Sequence, residues 1–389
     1  VERRAVTGPS LLDTDLYKLT MGQAVLKKFP NARAKYIFVN RGSQEHPITG
    51  NLIDRIKEGV LNYGRAQLTD DEDLFLRETC PYLDRWYIDW LRQFQLNTRH
   101  VKITTDDYGQ MKLTIEGSWA ETIYWEVPLL AIITDHIMAA NVVRPDVVRQ
   151  SNQARDKAIR LEASGCKFAD FGTRRRYSYP LQQLVVRSVK LSPAFIGTSN
   201  VHFAMKYKLK PIGTMAHEWV QGVSALVGLR YANRFAMEAW NDVYNGDLGI
   251  ALTDTFGSNA FFRDFDGRLA RMFDGVRHDS GNPFSFADQA IYHYERLRID
   301  PKSKTIVFSD SLDVDKCVEL QKAFGDKIKL SFGIGTHLTN DVPGTTPTNI
   351  VIKLVGIDGI PVVKLSDDMR KAIGDPKALD VALWTFGLE

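Results

Sequence analysis

Cysteine is scarce in this sequence. Its 389 residues include three, Cys80, Cys166 and Cys317, odd in number, far apart and without a Cys-x-x-Cys pair. That spacing excludes a cysteine-based zinc or redox motif and fits a reducing compartment. Long hydrophobic runs are missing as well: no stretch reaches the roughly 18 consecutive apolar residues of a membrane span. No charged segment followed by an apolar one opens the chain, so the sequence reads as cytoplasmic with no membrane partner. Charge of one sign is not in excess either, with 50 basic against 47 acidic residues and a net charge of +3. No Lys/Arg run is dense enough to track a phosphate backbone, which argues against a nucleic-acid partner. Low-complexity tracts and periodic repeats are also absent. What remains is ordinary globular composition, 44% hydrophobic and 25% charged, in a chain long enough for two domains.

The first third mixes element types. Apolar residues at helical spacing, Leu16, Leu19, Met21, Val25 and Leu26, predict a helix stopped by Pro30, followed by a strand in "ARAKYIFVNR". Two short helices separated at Pro81 come next, then an alternating hairpin around "DDYG". After Pro128 the pattern changes to short apolar strands separated by helical stretches, the signature of βα units. Seven strand candidates end at Thr173, Asn200, His217, Phe256, Ser280, Ser311 and Thr336. The expectation is an α/β protein: an atypical (β/α) barrel of parallel strands over 131–344, joined to a mixed α/β domain over 1–130. Alternation around "IDG" predicts a C-terminal hairpin, so that 345–389 rejoins the first domain.

Each of the seven strands runs out into polar or glycine residues: Thr173, Ser199, His217, Asp254, Arg277 with Asp279, Asp310, and Gly335 with Thr336. In a parallel barrel those ends share the face where active sites are built, although turns are polar in any case. "FGIGTHLTND" offers Gly333 and Gly335, whose backbone N–H groups can approach an anion, and the Thr336 hydroxyl; a phosphate cradle and a tight turn both fit. It is not a Rossmann fingerprint, because Leu338 replaces the third glycine. Arg174, Arg175 and Arg176 follow a strand directly and suit a carboxylate or phosphate, or a solvated helix start. Phe171 beside them suits a flat ligand or the core. Alternation puts Arg277 and Asp279 on one face of a strand and His278 on the other. Asp310 and Asp313 suit ribose hydroxyls or Mg²⁺, and Asp313 equally suits a helix cap. "HEWVQ" begins like a zinc-protease helix, but Gln221 stands where the second histidine is needed, so His217 is left as a structural histidine or a group facing an anion at a helix N-terminus.

Taken together, "LLDTDLYKLTMGQ", "FGTRRRYS", "GTSNV", "GTMAHEW", "GVRHDSGNP", "FSDSLD" and "GIGTHLTND" resemble the nicotinate phosphoribosyltransferase family in order and spacing. The resemblance implies a dimeric enzyme of an atypical barrel plus a mixed domain. It further implies that nicotinate and 5-phosphoribosyl 1-pyrophosphate are joined with ATP hydrolysis and Mg²⁺, in NAD salvage. It makes His217 the residue phosphorylated by ATP, with Arg277 and Asp279 beside the reacting groups. Tyr17 and Phe171 would flank the pyridine ring, Tyr17 commonly reaching the partner's site. Arg174, Thr198, Ser199 and Asp310 would contact substrate, and Gly333, Gly335 and Thr336 would hold the 5-phosphate. Two positions depart from the family form: Asn282 stands for Asp and His337 for Asn. The alternatives are a nicotinamide or quinolinate phosphoribosyltransferase, a non-catalytic phosphoribosyl-binding barrel, and a metal-dependent hydrolase, the last weakened by the lack of a clustered histidine pair.

Overall fold

The computed structural model describes residues 9–140 and 143–388; residues 1–8 and 389, at the ends of the two expected N- and C-terminal segments, lie outside the described residues. The first helix spans Leu16–Lys28 and buries every residue from Leu16 to Val25. A helix buried all round needs partners on several sides. It finds them in the segment around Trp119–Trp125 and in the helix Ala232–Tyr244.

The strands β1 (Arg33–Asn40), β2 (Val101–Thr105) and β3 (Met111–Ser118) follow, with the helices Asp70–Thr79 and Arg85–Gln93 on either side of Pro81. The β2–β3 hairpin turns where expected, because the Asp106 carboxylate accepts the N–H groups of Tyr108 and Gln110. Along β3 burial alternates strictly, so one face packs on the core. The second half supplies β4 (Phe168–Asp170), β5 (Phe195–Thr198), β6 (Ile250–Leu252), β7 (Gly275–His278), β8 (Thr305–Phe308) and β9 (Lys329–Ile334). All pair in parallel, in the order β5-β4-β9-β8-β7-β6. Then β10 (Ile350–Ile357) and β11 (Ile360–Pro361) return to the first half, completing the five-stranded antiparallel sheet β11-β10-β1-β3-β2.

Two expectations are corrected. The parallel sheet is not a closed barrel among the described residues; β5 and β6 are its edges. The third of the seven expected strands, ending at His217, is not one: Pro211 makes a single parallel bridge to Thr198, and His217 already opens the helix His217–Val227. Pro211 has no N–H to donate, so a ladder cannot propagate through it. Trp119–Ala140 is long and apolar enough on average to cross a membrane by composition, without being the unbroken apolar run that the sequence lacks. Its most apolar window is 67% buried, and it contains Glu121, Glu126 and Asp135. It is placed here as interior helix.

After β11 the chain leaves the antiparallel sheet and crosses the ends of β6 and β7. The Leu365 N–H donates to the Thr255 carbonyl, Ser366 Oγ donates to Ser280 Oγ, and Phe386 stacks on Phe256 at 4.8 Å.

Packing between parallel strands sets one measurable requirement. A Cβ added at Gly275 on β7 would lie 1.9 Å from the Thr305 carbonyl oxygen on β8, whereas at Gly42 it would meet nothing closer than 3.5 Å. Gly275→Ala is expected to lower the free energy of urea unfolding by about 1–3 kcal/mol or more, and Gly42→Ala by less than about 0.5 kcal/mol.

Candidate active site

The C-terminal ends of the parallel strands open onto a cleft of about 650 Å³, walled on the far side by Tyr36 and Arg41 of the β1 region and by Asn349 and 351–354 of the β10 region. Ser199, His217, Arg277, Asp279, Asp310, Gly335 and Thr336 all line it, joined by Tyr17, Phe171 and Arg174. Of the expected strand-end residues, Thr173 and Asp254 are buried and do not line it, and neither do two of the expected substrate contacts. Thr198 is buried and its hydroxyl donates to Asp170 Oδ2 at 2.8 Å. Gly333 lies beneath Phe171, where a Cβ would sit 2.3 Å from the ring. The glycine is needed so that Phe171 can lie flat on β9.

His217 occupies the first turn of its helix. Its Nδ1 is 3.1 Å from Thr255 Oγ1, and its Nε2 is 3.0 Å from Asp279 Oδ2 and 2.9 Å from Lys364 Nζ. Burial, reinforced by the Lys364 ammonium, lowers the imidazole pKa from its ordinary 6.5 despite Asp254 and Asp279 nearby. The ring is therefore neutral at pH 7 and keeps one lone pair. Burial would raise the Asp279 carboxyl, but Arg277, His217 and Lys364 outweigh it and hold the group well below the usual carboxylate range. Asp279 is thus an acceptor only. It takes a hydrogen bond from Ser309 Oγ at 2.6 Å, and Arg277 Nη2 lies 3.5 Å away. As alternation requires, His278 points the other way, between Phe286 and Phe308.

The walls near β1 and β9 are cationic. Burial with Arg174 and Arg41 alongside pushes Arg175 down to about 10, a sign of positive charge without a matching carboxylate. Arg176 does not share this role: it turns inward and makes a two-pronged pair with Asp13 at 2.8 and 2.9 Å. Asp310 is paired with Lys371 at 2.7 Å. Asp313 caps the helix Val314–Phe324 by accepting the Lys316 N–H and stays out of the cleft. Asn282 is likewise a cap, accepting from the N–H groups of Phe284 and Ser285, a task aspartate performs equally well. His337 does line the cleft.

Sequence reasoning missed Lys364, Lys18, Glu126 and Glu218. Lys364 reads as one polar residue in an alternating strand. Lys18 lies on the buried helix with a side chain 0% exposed, held between Glu126 Oε2 at 2.6 Å and Glu218. The signal available was a lysine inside an otherwise apolar helical face, which demands a buried carboxylate.

The cleft is thus cationic at one end and carries a neutral histidine at the other. Residues 12–134 match the model of the nicotinate phosphoribosyltransferase N-terminal domain, and 166–389 match that of the nicotinate phosphoribosyltransferase family. The chain is 46% identical to the nicotinate phosphoribosyltransferase of Methanococcoides burtonii, over 97% of both chains. It is also 46% identical to that of Chromohalobacter salexigens, over 96% of this chain and 97% of the relative. The crystal structure of the Porphyromonas gingivalis nicotinate phosphoribosyltransferase superposes with a TM-score of 0.94 at 38% identity, covering 97% of this chain and 99% of that one.

The chain belongs to the nicotinate phosphoribosyltransferase family.

Resemblance to this family carries an expectation of Mg²⁺, and the donor set can be tested against it. Among the described residues, His217, Asp254 and Asp279 bring one ligating atom each within 4.8 Å of one another. Lys364 Nζ already sits among them, 2.9 Å from His217 Nε2 and 3.4 Å from Asp254 Oδ2. An ammonium supplies the positive charge there, and Mg²⁺ prefers oxygen ligands to imidazole. This trio does not fit a resident magnesium ion.

In this phosphoribosyltransferase-family cleft the Lys364 charge should be visible in the histidine titration. Following His217 by ¹⁵N-edited NMR, the wild type should titrate below 6.5, and Lys364→Met should raise that midpoint. An unchanged midpoint would show that Lys364 does not act on the ring.

Proposed function

We propose that this protein transfers the phosphoribosyl group of 5-phosphoribosyl 1-pyrophosphate to nicotinate and couples the transfer to ATP hydrolysis through phosphorylation of His217. The observation that carries the reading is a neutral imidazole at a helix N-terminus, held by Thr255 and Asp279 beside Lys364, in the same cleft as the arginines.

In the first step the γ-phosphoryl group of ATP moves to the ring nitrogen that holds the lone pair. An N–P bond forms, the P–O bond to ADP breaks, and the new negative charge lies beside Lys364 and the helix start. In the transfer step the nicotinate ring nitrogen attacks the anomeric carbon as the bond to pyrophosphate breaks. Positive charge grows on the sugar, where Asp279 is a fixed anion, and negative charge grows on the leaving group, where Arg277 is a fixed cation. Hydrolysis of the N–P bond then returns the neutral histidine and releases phosphate. The nicotinate carboxylate suits the Arg174 end of the cleft, where Tyr17 and Phe171 also stand. Mg²⁺ bound with the phosphates would supply counter-charge to them, and no protein residue is assigned to hold it. The same reading places the enzyme in the cytoplasm, as a homodimer, in NAD salvage.

Incubation with labelled ATP should leave acid-labile, base-stable phosphate on the wild type and none on His217→Asn, which should also lose ATP stimulation. Label persisting in that variant would exclude His217 as acceptor. Pyrophosphate release should be supported by nicotinate over nicotinamide and quinolinate; another order would favour one of those substrates, and ligand binding without turnover a non-catalytic role. Arg277→Ala should lower kcat/KM by about 10²–10³-fold, the scale of losing one charge-stabilising donor.

A further inference from the structure

Glu218 is the residue after His217; it borders the same cleft, and its bonds reach into the other half of the molecule. Oε2 is paired with Lys18 Nζ, while Oε1 accepts the Tyr36 hydroxyl at 2.5 Å and the Trp119 indole N–H at 2.9 Å. Lys18 lies on the first helix, Tyr36 on β1, and Trp119 directly after β3. Three donors from three segments therefore converge on one carboxylate that is 7% exposed. A carboxylate removed from water needs such partners, and their loss leaves a buried charge uncompensated.

The start of this helix has a second anchor in Trp219, buried against Trp119, whose indole N–H donates to the Ala236 carbonyl at 3.0 Å. The helix N-cap is Ala216, whose side chain makes no capping bond. One turn beyond Glu218, Gly222 lies flush on Trp119: an added Cβ would be 2.2 Å from the indole ring. Residues four apart share a helix face, so Glu218 and Gly222 form one docking surface. His217, about 100° round the helix from Glu218, is turned by that surface toward the cleft.

We propose that Glu218 is the positioning residue for His217: by fastening the helix start to Lys18, Tyr36 and Trp119, it fixes the imidazole where Thr255 and Asp279 hold it ready to take up a phosphoryl group. The inference rests on the phosphoacceptor role of His217 proposed above. It assigns Glu218 no contact with ATP. It also explains why an acid is needed: glutamine keeps the size of the side chain but sets an uncharged amide beside the buried Lys18 ammonium.

The test is the rate of acid-labile phosphate incorporation from labelled ATP, measured over a range of ATP concentrations on the full-length protein. Glu218→Gln is expected to lower the maximal phosphorylation rate by about 10–100-fold, the scale of losing a partner that orients a reactive side chain, with the KM for ATP within about threefold of wild type. Tyr36→Phe removes one donor of the three and guards against misfolding of the first variant; it should lower the rate by about 3–10-fold, with the KM again held. Near-UV circular dichroism checks the fold of each variant. Wild-type rates in both variants would overturn the inference, as would a raised KM with an unchanged maximal rate, since Glu218 would then act on ATP binding. A wild type that takes no label would overturn the phosphoacceptor reading and this inference with it. A labelled wild type with an equally labelled Glu218→Gln overturns the positioning role alone.

Discussion

The antiparallel pairing of β1 with β10, from Ala34 opposite Ile357 to Asn40 opposite Ile350, is the constraint on which the cleft depends. It brings the end of the chain back to its beginning, and both edges of the cleft follow. Arg41, just past β1, Asn349 and 351–354 form the wall that faces the parallel sheet. The chain leaving this sheet after β11 has only a few residues in which to reach the ends of β6 and β7, and Lys364 arrives there beside His217. The ion pair geometry at the histidine is thus set by a strand register formed elsewhere.

Electrostatics divides the cleft without neutralising it. Around His217 the charges nearly balance, with Asp254 and Asp279 against Arg277 and Lys364. Burial, with Lys364 alongside, keeps the imidazole neutral and leaves a cation beside it, which suits a group that must gain negative charge. Beneath the other wall an alternating chain of charges runs Arg174, Glu126, Lys18, Glu218. It costs desolvation, and a set of apolar side chains would fill the same volume at least as stably. Its retention is best understood through what it orients.

Local patterning made much of this legible. The N-terminal helix, the β2–β3 hairpin, the return of β10 and β11 as a hairpin, and six of the parallel strands follow from periodicity and turn chemistry visible within a dozen residues. The opposite facing of Arg277 and His278 follows from strand alternation alone. Lys364 and Glu218 stayed hidden because their meaning lies in partners distant in sequence: Lys364 meets His217 across 147 positions, and Glu218 meets Lys18 across 200. A single sequence reports spacing along the chain, not such meetings. Gly333 was misplaced for a related reason, since a glycine that admits a neighbouring ring and one that admits a phosphate look identical in sequence.

The misread strand at 210–217 and the overlooked Lys18 have one cause. Segment 210–216 spans the gap between β5 and β6 with isolated bonds: Thr198 N–H to the Lys210 carbonyl, Ile212 N–H to the Thr198 carbonyl, and Thr214 Oγ1 to the Ile250 carbonyl. A regular strand there would have paired fully with both edges and closed the sheet. Instead the backbone at Gly213 has a φ of +154°, and a Cβ added there would lie 3.3 Å from Leu16 Cβ and the Tyr17 backbone nitrogen. The first helix docks at this point: the Leu16 N–H donates to the Ser199 carbonyl, and Thr20 Oγ1 donates to the Thr214 carbonyl at 2.6 Å. Tyr17 then reaches the cleft and Lys18 reaches Glu218. Leaving the sheet open at one strand is what lets the N-terminal half enter the site, so an interruption that no local pattern would favour has its reason in the partner it admits.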